Sequence, residues 1–338
     1  MEQPIVTALL AYGMSGKVFH APFLEAHPGF SLYAVLERNQ KKAQHDYSTI
    51  KSYSTLEEVL QDAQIELVVI NTPNNTHYEL ALQALSAHKH ILIEKPATTT
   101  AEEFEHVLEL AARVGRKVFV YQNRRWSSDI MATKTVIESG KLGEIIEMHL
   151  RFDRYRPVIG PKTFKETPIP SSGITYDLGA HLVDQAIAIF GTPLHYHGFK
   201  KTYRPNSLVD DFATIHLEFP QNINVFITLS HLVADPQAGI VVHGTQGSFI
   251  KPFCDVQEEQ LVHGMKPTAL DYGHEKPHKE GKLTYYNKQN EKNSVIVPSF
   301  RGHFMGLFDD LYGSIRFQKP FSVDNQDIIT QIKILESL

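Results

Sequence analysis

Over residues 1–123, short apolar runs alternate with stretches of helical spacing, and this alternation points to a parallel sheet built from βαβ units. Strands of such a sheet are buried on both faces, so they read as nearly continuous apolar runs. Five runs are expected strands: Ile5–Ala11, Leu32–Glu37, Leu67–Thr72, His90–Ile93 and Lys117–Gln122. Local chemistry marks the helix ends between them. Ser54-Thr55-Leu56-Glu57 and Thr100-Ala101-Glu102-Glu103 both fit the capping box, and Gly115 stands where a glycine closes a helix. The expected product is a doubly wound α/β domain.

Beyond Arg124 the period changes. A helix is expected from Asp129 to Ser139, ended by Gly140, and then a strand in which Met148, Leu150 and Phe152 alternate with polar neighbours. The alternation recurs at Ala213, Ile215, Leu217 and Phe219, opposite Thr214, His216 and Glu218, and again at Val225, Ile227 and Leu229. Strands of this kind have one wet face. The second half therefore reads as an α+β domain with an open, mainly antiparallel sheet. Helices near Thr175–Phe190 and His303–Arg316 are expected to cover one face of that sheet, Pro267–Gly281 reads as a loop, and a last helix starts near Asn325. With 338 residues the chain has room for two cores, assigned as 1–123 and 124–338.

A net charge of -5 gives no basic surplus for nucleic acid, and no stretch reads as a membrane span. The acidic opening Met1-Glu2 is unlike a secretory signal, and the single cysteine, Cys254, has no partner for an internal disulfide. A cytoplasmic protein is expected, with small molecules or further copies of itself as partners. Its 18 histidines show neither HExxH nor paired Cys/His spacing, so no metal is expected.

Directly after the first apolar run comes Ala11-Tyr12-Gly13-Met14-Ser15-Gly16, a GxGxxG turn with alanine at its first glycine position. In such turns the second glycine lets backbone approach a diphosphate and the third allows close helix–strand packing. The amides of the helix start would bind the anion. Glu37, 24 positions beyond Gly13, stands where an acid meets the adenosine ribose hydroxyls. It would repel a 2′-phosphate, whereas Arg38 beside it could accept one or stack on adenine. NAD is slightly favoured over NADP.

Two polar sets follow expected strands: Asn71-Thr72-Pro73 with His77, and Glu94-Lys95-Pro96. Ligands of open α/β sheets bind at such carboxyl ends. There a lysine can donate to a substrate oxygen and stabilise developing alkoxide charge. In the second half, Asp177, His181 and Asp184 fall at i, i+4 and i+7 of an expected helix and share one face, opposite a stripe of Leu178, Leu182, Ala186 and Ile189. The polar row is expected to face solvent or a cleft. Histidine suits proton exchange near neutral pH, and an aspartate one turn away can orient it. Tyr47 and Lys51 form a Tyr-x-x-x-Lys pair too early in the chain for short-chain dehydrogenase chemistry, and there is neither a GxSxG elbow nor a P-loop ending.

Taken in order, the run Gly13–Pro22, Asn71-Thr72-Pro73 with His77, Glu94-Lys95-Pro96, the junction Tyr121-Gln122-Asn123-Arg124-Arg125-Trp126, and Tyr176-Asp177-Leu178-Gly179-Ala180-His181 resemble the Gfo/Idh/MocA family over essentially the whole chain. The Asn-Arg-Arg-Trp junction and Arg154-Tyr155-Arg156-Pro157 are most similar to its NAD(P)-dependent scyllo-inositol dehydrogenases. The resemblance implies a Rossmann domain, a C-terminal domain whose open sheet pairs copies into a homodimer or homotetramer, and catalysis by Lys95, Asp177 and His181 across the cleft between the two halves. A cis Lys95–Pro96 bond is part of that pattern.

On this reading His181 takes the hydroxyl proton of a small polyol or sugar while Lys95 holds the same oxygen and Asp177 tunes His181. The dinucleotide would lie against Tyr12, Gly13, Met14, Ser15, Gly16, Glu37, Arg38, Asn71, Thr72, Pro73, His77, Glu94, Lys95 and Gln122. Arg125, Trp126, Tyr155 and Lys162 are candidates for gripping the substrate. The rival is a non-catalytic dinucleotide-binding redox sensor, for which the intact Lys95, Asp177 and His181 would have no purpose.

Overall fold

The computed structural model describes residues 3–160 and 166–338. They fall into two compact units, one made of Met1–Asn123, Gln257–Tyr272 and Phe304–Ile329, the other of Arg124–Val256, Gly273–His303 and Thr330–Leu338. Among the described residues, no helix is long and apolar enough to cross a membrane.

The first unit is built on six strands: β1 Ile5–Leu9, β2 Phe30–Leu36, β3 Lys51–Tyr53, β4 Leu67–Ile70, β5 His90–Glu94 and β6 Val118–Tyr121. All neighbours are parallel, in the order β3-β2-β1-β4-β5-β6. The expected doubly wound sheet is therefore present, with one strand more than the five apolar runs. β3 escapes a search for such runs because it is a three-residue edge strand, Lys51-Ser52-Tyr53, with no buried residue. The other strands end one or two residues earlier or later than expected. The important case is β1, which stops at Leu9 and leaves Leu10, Ala11 and Tyr12 to form the turn.

The cap chemistry sets two helix ends. Thr100 caps the helix Ala101–Val114 through a reciprocal box with Glu103, and Gly115 closes it at φ 63°. The earlier box is formed one residue later than the spacing indicated, by Thr55 with Glu58 rather than by Ser54 with Glu57.

The helix Met305–Phe317 belongs to the first unit, contrary to the expectation that it covers the antiparallel sheet. Phe308, fully buried, stacks on Phe23 at 5.1 Å between ring centroids and lies edge-on to Phe30. Each such aromatic contributes on the order of 1.5–3 kcal/mol by leaving water. Helical spacing tells that a helix has an apolar stripe but not which sheet the stripe meets.

The second unit carries eight strands: β7 Ile145–Asp153, β8 His195–Lys201, β9 Phe212–Phe219, β10 Ile223–Ser230, β11 Ile240–Gly244, β12 Gly247–Lys251, β13 Gly281–Tyr286 and β14 Lys292–Val297. Their order is β14-β13-β12-β11-β7-β10-β9-β8, antiparallel throughout except for β7 beside β10. The alternating residues read from the sequence make one buried face: Met148, Leu150 and Phe152, then Ala213, Ile215, Leu217 and Phe219, then Val225, Ile227 and Leu229. Leu182, Val183 and Ala186 of the helix Ala180–Phe190 join the same core.

Candidate active site

The glycine turn is held by Asn71. Its amide oxygen accepts from Ala11 N at 3.1 Å and its amide nitrogen donates to Ala11 O at 2.8 Å, so the end of β4 grips both sides of the residue that replaces the first glycine. Gly16 shows why a glycine stands third. A Cβ there would lie 2.2 Å from Ala11 O and 2.8 Å from Asn71 Nδ2. Gly13 is the opposite case, with nothing within 4 Å of where its Cβ would be. The backbone at Gly13 is thus bare and open to an approaching group, which is what a diphosphate needs. The chain from Gly16 to His20 winds as a π-turn, a form frequent at functional sites.

Beside this turn lies a cavity of about 780 Å³, lined by Leu10–Tyr12 after β1, Leu36–Gln40 at the end of β2, and Thr72 and Pro73 after β4. It opens where the strand order reverses between β1 and β4, the place where open α/β sheets bind ligands. Tyr12 is fixed by donating its hydroxyl to Asp46 at 2.7 Å; burial and the Asp46 hydrogen bond raise its pKa. The residues present fit a dinucleotide.

Glu37 differs from the expectation in its bonding. Its buried carboxylate accepts from the amides of Lys42 (2.8 Å) and Ala43 (3.3 Å) and from the Ser52 hydroxyl (3.1 Å), so it caps the turn after β2. Arg38 and Lys42 line the same cavity, are exposed, and make no ion pair with a described residue.

At the end of β5, Glu94 accepts a hydrogen bond from Ser15 of the glycine turn and lies 2.9 Å from His20 Nε2. Burial opposes its ionisation, but the His20 and Ser15 hydrogen bonds and the neighbouring Lys95 charge outweigh that and hold its carboxyl below the usual range. His20 is fully buried with its ring 4.4 Å from that of Tyr121. Lys95, half-buried, follows directly, and the Lys95–Pro96 bond is cis, as the family pattern implies. His77 is fully buried with Nδ1 2.9 Å from Pro96 O and Nε2 3.0 Å from Thr72 O; burial pushes its pKa down. It ties the loops after β4 and β5 together. Gln122, 1% exposed, sits just past β6, while Met14 and Pro73 are exposed and Thr72 is half-buried.

In the second unit Asp177 lies within a second π-turn, Thr175–Gly179, and His181 in the α-helix that continues it. Asp210, which sequence reading overlooked, anchors the turn by accepting from Thr175 N (2.9 Å) and Thr175 Oγ1 (2.6 Å). The polar row departs from expectation at its far end. Asp184 is 2% exposed and accepts three hydrogen bonds, at 2.7, 2.9 and 3.1 Å, from the Arg125 guanidinium. His181, 7% exposed, is buried too, and the half-buried Asp177 alone of the three keeps appreciable contact with solvent.

Of the proposed substrate-gripping set, Arg125 is bound to Asp184, Trp126 is half-buried with its carbonyl accepting from His303 N at 2.9 Å, and Tyr155 is exposed and bridges to Leu232. Lys162 lies outside the described residues. A second overlooked residue is His231, held near a pKa of about 4 by burial first, then by Arg204, Arg154 and Arg156, with Asp177 pulling the other way. Nothing in the spacing of Asp177 and His231 along the chain links them.

Chemically, the first unit offers a bare glycine turn, a cavity and a lysine at an adjacent strand end. The second offers an aspartate and a buried histidine at a widened turn. Residues 6–122 match the oxidoreductase family with an NAD-binding Rossmann fold, and residues 130–250 match the Gfo/Idh/MocA C-terminal domain. The chain is 36% identical to the "uncharacterized oxidoreductase C115.03" of Schizosaccharomyces pombe, covering 99% of this chain and 96% of that one. It is 31% identical to scyllo-inositol 2-dehydrogenase (NADP(+)) IolW of Bacillus subtilis, covering 98% and 92%. Among solved structures, the oxidoreductase yvaA from Bacillus subtilis superposes with a TM-score of 0.94 at 30% identity, covering 99% and 95%. The chain belongs to the Gfo/Idh/MocA family and is an oxidoreductase with an NAD(P)-binding Rossmann domain.

Proposed function

We propose that the protein oxidises a secondary alcohol of a polyol or sugar, or reduces the corresponding ketone, with an inositol-type substrate favoured and NADP as the preferred dinucleotide. The observation that carries the reading is the hydrogen bond from Ser15 to Glu94, which ties the dinucleotide turn to the strand end bearing Lys95. When bound, the nicotinamide accepts or supplies the hydride. Gly13, Gly16 and the amides after them would hold the diphosphate.

The shift from NAD to NADP rests on Glu37. An acid that discriminates against a 2′-phosphate must present its carboxylate to the ribose, and this one is taken up by two amides and a hydroxyl. Arg38 and Lys42 are the basic groups lining the cavity, and both favour a phosphate. The NADP(+) dependence named for the Bacillus relative agrees with this, and its inositol substrate supports the substrate class.

At the substrate, the Lys95 ammonium donates to the reacting oxygen and stabilises it as charge develops, while His181 takes the hydroxyl proton in the oxidative direction. Asp177 favours the protonated imidazole. Lys95→Met and His181→Ala test the assignment with a panel of inositols and aldoses, followed by absorbance of the reduced cofactor. Each variant is expected to lose roughly 10²–10⁴ in kcat with dinucleotide affinity preserved. Near-wild-type turnover in both would overturn it.

A further inference from the structure

On the polar face of the second unit's sheet, His197 on β8 stands directly opposite His216 on β9, and Glu218 lies two residues further along β9 on the same face. One ligand atom from each lies within 4.8 Å of the other two. We propose that these three side chains form a binding site for a zinc-class transition-metal ion, independent of the redox chemistry.

Three observations favour it. The donors are two imidazoles and a carboxylate, the set that binds zinc with one coordination position left over. His216 already has the orientation of a ligand. Its Nε2 donates to Asn224 Oδ1 at 2.8 Å, which leaves Nδ1 as the lone-pair nitrogen, and its ring stacks on Phe226 at 4.6 Å and 5°. A hydrogen bond on the far nitrogen is the usual companion of a metal-bound histidine. Neither the Glu218 carboxylate nor the His197 ring hydrogen-bonds to a described residue, so both are available without breaking a bond.

Ligand atoms of a tetrahedral site stand about 3.4 Å apart for bonds near 2.0–2.1 Å. Binding therefore asks each side chain to close by about 1 Å, which exposed His197 and half-exposed Glu218 achieve by rotation. The fourth position would hold water. Sequence spacing cannot disclose such a site, because the two histidines are brought together by strand pairing.

Protein stripped with EDTA and titrated with ZnCl2 against a chromophoric chelator is expected to bind one equivalent per chain. His197→Ala and Glu218→Gln should each weaken that binding by at least about tenfold, and Asn224→Ala by roughly 10–100-fold, since the hydrogen-bond partners of ligands carry effects of that size. Circular dichroism and dehydrogenase turnover are expected to stay unchanged in all three. His197 is exposed, so its replacement keeps the test open if another variant folds poorly. The absence of saturable one-to-one binding, or wild-type affinity in His197→Ala and Glu218→Gln, would overturn the proposal.

Discussion

Replacing each of the two remaining glycines of the dinucleotide turn by alanine should have opposite consequences. In Gly16→Ala the new Cβ would sit 2.2 Å from a backbone carbonyl oxygen, roughly 1 Å inside ordinary contact, and that carbonyl is itself held by Asn71. Overpacking of this kind costs about 1–3 kcal/mol. Weakening the Asn71 hydrogen bond adds about 1 kcal/mol. A total of about 2–4 kcal/mol lowers Tm by roughly 4–16 °C for a unit of this size. Gly13→Ala meets nothing within 4 Å, so Tm is expected to stay within about 2 °C. Its cost falls on the ligand: a methyl group between backbone and diphosphate should weaken dinucleotide binding at least tenfold, about 1.4 kcal/mol. Thermal melts and titration of reduced-cofactor fluorescence separate the two effects. If Gly13→Ala binds dinucleotide like the wild type, the diphosphate does not lie on this turn. If Gly16→Ala melts like the wild type, the close packing has been misjudged.

Arg38→Ala should lower the NADP-over-NAD ratio of kcat/KM by tenfold or more, whereas Glu37→Gln should leave that ratio nearly unchanged and cost stability, about 1–3 kcal/mol, through poorly satisfied donors. Asp184→Ala strands the Arg125 guanidinium in a largely buried setting and should destabilise the second unit by about 3–5 kcal/mol in urea unfolding. His231 contributes a pH dependence whose sign follows from its depressed pKa. The unfolded chain takes up this proton near pH 6.5 and the folded one near 4, so its share of stability is complete above about 6.5 and is lost as pH falls toward 4. Urea midpoints measured from pH 7 to 4 should therefore fall less steeply in His231→Asn.

What the sequence made legible is what short-range physics decides. Thr100 and Gly115 end their helix within a few residues of themselves, and the two-residue period of β9 and β10 announces which side chains enter the core. Features set by distant partners were harder to read. The helix face bearing Asp177, His181 and Asp184 read as open to solvent or a cleft because the Arg125 that neutralises Asp184 lies 59 residues away. Glu37 reads as a ribose ligand by its position, whereas its hydrogen bonds to the Lys42 and Ala43 amides were not legible, because they belong to a turn with no distinctive composition. β3 carried no hydrophobic signal at all, since an edge strand of three residues needs only backbone pairing. The catalytic candidates were identified by their order along the chain, and the resemblance they carried did more than any single spacing.

The hydrogen bond between Ser15 and Glu94 has a thermodynamic consequence beyond its position. One carboxylate is shared by the turn that would grip the dinucleotide and by the peptide that leads into Lys95, so neither can relax alone. Any settling of the turn on its ligand is then felt as a bias on the lysine, and linkage requires the reverse as well: an oxygen held by Lys95 tightens the hold on the dinucleotide. The expected habit is mutual tightening, in which saturating dinucleotide lowers the apparent dissociation constant of the alcohol and saturating alcohol lowers that of the dinucleotide by the same factor.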